Sequence, residues 1–182
     1  MNSRRRFLQH GGLVAASIFT QPSIGFSQGK EEFGGIVSND EDGEVLRLRD
    51  GTAIVRIKIS KLKGSNSMSF LSESFKPGDA LPVHKHLNED EFIFMHRGSG
   101  LLTLGDKQYP VKEGAVTLVP KGVWHGLQNT GTENIEMRFG YTPAGFEGFF
   151  REVGFPVGEP FVRRTMEQRR AIAKKWGMVY RD

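Results

Sequence analysis

Between Thr52 and Tyr141 hydrophobic and polar residues alternate in short runs, and glycine-bearing turns interrupt them. In TAIVRIKIS, Val55, Ile57 and Ile59 fall on one face of an extended chain, with Arg56 and Lys58 on the other. Asp50-Gly51 ahead of it is a hairpin turn signal, and SMSFLSESF reads as the next strand, stopped by Lys76-Pro77-Gly78. Short strands follow at EFIFMH, LLTL, KQYPV, AVTLVP, HGLQN and IEMRFGY, separated by RGSG, GDK, KEG, PKGV and NTGTEN. Many short strands joined by such turns predict an all-β sandwich or barrel. After Thr142 the period becomes helical. Phe146, Phe149, Phe150 and Val153 make one stripe, expected to glue a short helix to the outside of the barrel. A second helix is predicted from about Arg163 to Trp176, with Gly177 placed to stop it. Its Arg163, Arg164, Arg169, Arg170, Lys174 and Lys175 read as a solvated basic face, with an anionic partner or membrane surface as the alternative.

Composition narrows this picture. A chain of 182 residues with 37% hydrophobic content and 14 Phe has room for one domain and a packed core. No apolar run is long enough to span a bilayer as a mature helix. The net charge of +4 suggests a nucleic-acid partner until its distribution is examined. No Asp or Glu precedes Glu31, and residues 28–182 hold 22 Lys+Arg against 21 Asp+Glu. The excess belongs to the N-terminus, so no nucleic-acid partner is expected. There, SRRRFLQHGGLVAASIFTQPSIGFSQ has a cationic start, a modestly apolar middle and small residues near Ser27. Arg4-Arg5-Arg6-Phe7-Leu8 resembles a twin-arginine signal, which implies a signal peptide over 1–27, the twin-arginine machinery as a partner, and a periplasmic or secreted destination. Residues 28–44 read as an acidic, glycine-rich linker, 45–142 as the barrel and 143–182 as a C-terminal helical extension. With no cysteine, the fold depends on no disulfide, and any metal must be held by imidazole and carboxylate.

The chemistry concentrates in HKHLNEDE. His84 and His86, two apart in a strand, project to the same side, and Glu91 follows on the next strand. His125, beyond a Pro-Lys-Gly turn, can supply a fourth ligand from a facing strand. Three imidazoles and one carboxylate suit one divalent transition-metal ion: iron, manganese, nickel, copper or zinc. Alternation from Glu91 turns Ile93 and Met95 inward and His96 outward, while Glu89 and Asp90 read as solvated loop acids. Val55, Ile57, Ile93, Met95, Leu127, Ile135, Met137 and Phe139 are the expected barrel interior, and some of them are candidates to line a pocket.

These residues carry a family resemblance. Gly78, His84, His86, Glu91 and Gly98 stand at the spacing of the first motif of the cupins, and Gly114, Pro120, Gly122, His125 and Asn129 at that of the second. The chain thus resembles a single-domain small cupin over roughly residues 45–142, and its tail is loosely similar to that of quercetin dioxygenase-type cupins. The resemblance implies a double-stranded β-helix, or jelly-roll barrel, with a metal held by His84, His86, Glu91 and His125. It further implies a metal-dependent dioxygenase acting on a small phenolic or other oxygen-bearing substrate, with Glu91 as a catalytic base. The alternatives are a redox-neutral isomerase or lyase acting on a sugar acid or similar carboxylate, and a non-catalytic ligand-binding cupin. A homodimer through a sheet edge is also expected on this ground.

Overall fold

The structure, a computed structural model, describes residues 34–48 and 51–182, and the signal peptide expected over 1–27 lies outside the described residues. Among the described residues twelve strands and two short α-helices follow one another, with a single 3-10 turn at Lys61–Lys63. The strands are β1 (Glu44–Leu48), β2 (Ala53–Ile59), β3 (Ser69–Phe75), β4 (Ala80–His86), β5 (Asp90–Arg97), β6 (Ser99–Leu104), β7 (Lys107–Lys112), β8 (Val116–Val119), β9 (His125–Gln128), β10 (Ile135–Thr142), β11 (Phe155–Pro156) and β12 (Met178–Tyr180). Helix α1 is Glu147–Val153 and helix α2 is Met166–Lys175.

The strands form two antiparallel sheets, ordered β11-β1-β2-β3-β10-β5-β8 and β12-β4-β9-β6-β7. Val55, Ile57, Ile93, Met95, Ile135, Met137 and Phe139 from the first sheet share one hydrophobic cluster with Leu102 and Leu127 from the second. Each such side chain contributes about 1.5–3 kcal/mol by leaving water. The chain is an all-β jelly roll with a short helical C-terminus. Gly78, Gly98, Gly114 and Gly122 all take positive φ, between 82° and 89°, where a side chain would be strained.

The strand alternation fails at one point in β2. Its register against β3 slips between Ile57 and Ile59, so Ile57 faces Leu71 but Ile59 faces Phe70. Leu71 belongs to the core and Phe70 does not, so the bulge takes Ile59 off the interior face. The intervening Lys58 is buried rather than solvated, because its Nζ donates to the carbonyl oxygens of Asn39 (2.6 Å) and Asp40 (2.9 Å). The segment read as linker thus lies against β2, without strand over residues 34–43 and with β1 starting at its last residue, Glu44.

Helix α2 begins later than the basic run suggests. Thr165 caps it, accepting from the Gln168 amide (3.2 Å) while Gln168 Oε1 accepts from the Thr165 amide (2.9 Å). Arg163 and Arg164 therefore precede the helix. Beyond Gly177, at φ +71°, β12 adds an edge to the second sheet, pairing Met178 with His86 and Tyr180 with His84.

Candidate metal centre

Strand β4 carries a register shift against β9 between Leu81 and His84, after which His84 pairs with His125. Gly126 permits that approach, since a Cβ there would lie 2.9 Å from the Leu81 carbonyl oxygen. The turn at 120–122 holds the other two positions. The Gly122 amide donates to the His86 carbonyl oxygen (2.6 Å), and the Lys121 amide donates to Asp90 Oδ1 (2.8 Å) at the start of β5. One tight turn thus docks on both the histidine strand and the glutamate strand. Asn129 is buried and joins the far end: its Nδ2 donates to the Phe75 and Glu133 carbonyl oxygens, and its backbone exchanges bonds with Gly78 and Asp79. The fixed motif positions outside the ligand set therefore act as a frame for it.

Within that frame His84, His86, Glu91 and His125 are all buried, each offering one ligand atom within 4.8 Å of the others. The His84 and His125 rings are 4.2 Å apart, and His86 lies 5.0 Å from His84. His84 Nδ1 donates to the Pro82 carbonyl oxygen (2.8 Å) and His125 Nδ1 to that of Val123 (3.1 Å). Both rings therefore anchor Nδ1 on the backbone and leave Nε2 as the nitrogen that a metal would take once it carries no proton. Burial, aided by the other two histidines, pulls the His84 pKa down to about 3, so its ring is neutral at physiological pH.

Burial opposes charge on Glu91, yet the close imidazoles of His125 and His86 outweigh it and hold the carboxyl well below its usual range. Burial likewise opposes charge on His125, and Glu91 outweighs it and raises that pKa. Glu91 Oε2 stands 2.7 Å from His125 Nε2 and 3.3 Å from His86 Nε2. Despite those separations, Glu91 Oε2, His86 Nε2 and His125 Nε2 have no aligned hydrogen-bond partner among the described residues. Buried polar atoms that converge without partners are costly unless something else satisfies them. An ion with ligand distances of about 2.0–2.2 Å suits this set after small side-chain movements. The residues fit a divalent metal.

The group opens into a cavity of about 760 Å³, the size range of small-molecule sites. Met137, Phe139 and Tyr141 line it from β10, and Phe146, Phe149 and Phe150 from α1 and its N-cap. The phenylalanine stripe therefore does not coat the outside of the barrel. Phe146 meets His86 edge-on at 4.2 Å and stacks on Phe149 at 5.2 Å. Tyr141 is buried, with its ring 4.9 Å from His86, and its hydroxyl hydrogen-bonds to Glu91. Burial first, then the negative charges of Glu91 and Glu73, raise the phenol pKa well above normal and keep it a donor. Its position was legible, two residues beyond Phe139 on the inward face of β10.

Two acids also differ from expectation. Glu73 sits on the inward face of β3 and lines the cavity; the signal was a charge at an otherwise apolar alternation. Glu89 is not a solvated loop acid. It is buried, and burial, with help from Glu147, raises its pKa to about 7. Asp90 is partly buried and spent on the Lys121 amide, and His96 is exposed against Phe94.

Residues 71–140 match the cupin-domain family Cupin_2. The chain is 31% identical over 67 residues to a Thermotoga maritima protein named oxalate-binding protein, covering 37% of this chain and 55% of that one. It is 26% identical over 98 residues to auxin-binding protein 1 of Arabidopsis thaliana, covering 49% of each. The chain thus spans about half the length of the curated relatives it matches. Among solved structures, a Thermotoga maritima protein described as a "predicted oxalate decarboxylase" superimposes with a TM-score of 0.55 at 24% identity, over 59% of this chain and 99% of that one. KdgF from Halomonas sp. gives 0.54 at 12% identity, over 63% and 98%. Identities this low speak to fold alone. Together the matches support a place in the cupin superfamily.

Proposed function

We propose that this protein is an exported metal-dependent enzyme, of dioxygenase type, acting on a small oxygen-bearing organic molecule. One observation carries the reading: a buried three-histidine, one-glutamate group opens directly into a cavity walled by aromatic side chains. His84, His86, Glu91 and His125 would hold the ion, which when bound supplies Lewis-acid and, for iron, manganese or copper, redox chemistry toward oxygen donors. Four protein ligands would leave such an ion able to take an oxygen donor from a bound substrate. Phe146, Phe149 and Phe150 seat the apolar body of the substrate and exclude water from the reacting end. Glu91 lowers the net charge of the centre and receives a proton at its carboxylate, and Tyr141, donating to Glu91, holds that carboxylate in place.

The redox-neutral alternative rests on a separate observation, the arginines that share the cavity, together with the name of the oxalate-binding relative. Turnover of a phenolic and sugar-acid panel, run with and without O₂, separates the two. Oxygen uptake coupled to product formation supports the dioxygenase reading, and undiminished anaerobic turnover overturns it. Export is tested by replacing Arg4 and Arg5 with Lys, which should trap a folded, metal-loaded precursor inside the cell. Undiminished export without the twin-arginine machinery would reject that route.

A further inference from the structure

The cavity has a second chemistry away from its histidines. Arg163, Arg164 and Arg169 lie in its wall where the chain enters α2. Arg164 is committed: its guanidinium donates to the Val153 carbonyl oxygen (2.7 Å) and packs over the Phe155 ring at 4.7 Å. Farther along the helix, Arg170 pairs with Asp182 (2.9 Å) and Lys175 with Glu152 (2.8 Å). Arg169 is different. It is half-buried and lines the cavity, and among the described residues no carboxylate or carbonyl oxygen takes its guanidinium.

Its place on the helix sharpens the contrast. Arg169 stands one turn from the N-terminal end of α2, where the helix dipole already presents positive charge. A cation there is set against the dipole. A bound anion would be favoured by both at once. The acids of the cavity supply the orientation: Glu73 and Glu91 on barrel strands, with Asp79 immediately ahead of β4, repel an anionic end, which leaves that end at the α2 side.

We infer that Arg169 forms a carboxylate-selecting subsite, so that the substrate carries an oxygen-bearing end for the metal centre, an apolar body for the phenylalanine wall and a carboxylate for α2. This deepens the proposed function and rests on it for the metal end only. Arginine suits the role because its planar fork takes both oxygens of a carboxylate.

Two probes that differ only in charge, phenylacetate and phenylacetamide, test this by calorimetry on the full chain loaded with zinc. Phenylacetate should bind about tenfold more tightly than the amide, as one charge-assisted contact implies. Arg169→Gln should bring the two within about twofold without altering zinc content or amide affinity, and Arg169→Lys should restore part of the difference. The same preference should persist in His84→Ala/His86→Ala protein. Equal affinity in the wild type, binding of neither probe, or a preference that survives Arg169→Gln would overturn the inference. So would a preference lost with the histidines but kept in Arg169→Gln, since the carboxylate would then be on the metal. A chain that holds no zinc yet keeps an Arg169-dependent preference would instead overturn the proposed function and leave this subsite standing.

Discussion

The ligand end of the barrel and the C-terminal segment 143–182 meet in one cavity but reach it by different physics. His84, His86, Glu91 and His125 are placed by strand alternation and by one turn of three residues, so their convergence follows from spacing along the chain. Phe146, Phe149, Phe150 and Arg169 are placed by how two short helices fold back, which only long-range packing decides. The two regions therefore divide the site: one can hold the ion, and the other shapes what comes near it.

That division can be broken experimentally, beginning with the ligands. His84→Ala with His86→Ala should reduce metal from close to one ion per chain to none by elemental analysis, while His96→Ala leaves it unchanged. Full occupancy in the double variant would show that the ligands lie elsewhere. Next in size, Glu91→Gln keeps the shape of the side chain but removes its charge. It should retain more metal than the histidine variant while lowering turnover by about 10²-fold; unaltered turnover would remove Glu91 from proton handling.

A change in the C-terminal wall should leave the first region alone. Phe149→Leu should preserve metal content and shift KM several-fold, and a parallel loss of metal would mean the two regions are not separable. The smallest effect belongs to the cap of α2. Thr165→Ala should cost about 1 kcal/mol, lowering Tm by about 2–4 °C, and should weaken carboxylate binding more than it weakens amide binding. An equal loss for both probes would detach the cap from the selectivity of the cavity.

The same contrast explains what the sequence disclosed. Alternation gave the direction of His84, His86, Ile93, Met95 and His96, because in a strand direction is a local property. It failed at Ile59, where one bulge residue changes the face, and no turn residue announces it. The phenylalanine period identified α1 but not the surface it meets, since a helix stripe states that a face is buried and not against what. Glu89 was misplaced for a related reason. The turn after α2 packs on its loop, where the Leu87 amide donates to the Gly177 carbonyl oxygen (2.8 Å) and a Cβ on Gly177 would strike Asn88. Strand β12 had too few residues to show a period, and β11 has only two.

The pairing of β12 with β4 has a consequence for how the molecule is made. His84 and His86 are made near the middle of the chain, and the residues that cover one backbone edge of their strand are Met178, Val179 and Tyr180, close to its end. Until they emerge, the histidine strand is held on one flank only, by β9. The nascent chain thus displays two histidines on an open strand edge until its last residues are made, a state prone to pairing with other chains. Closure of the edge by β12 means that the histidine strand reaches its final neighbours only when the last residues of the chain are in place.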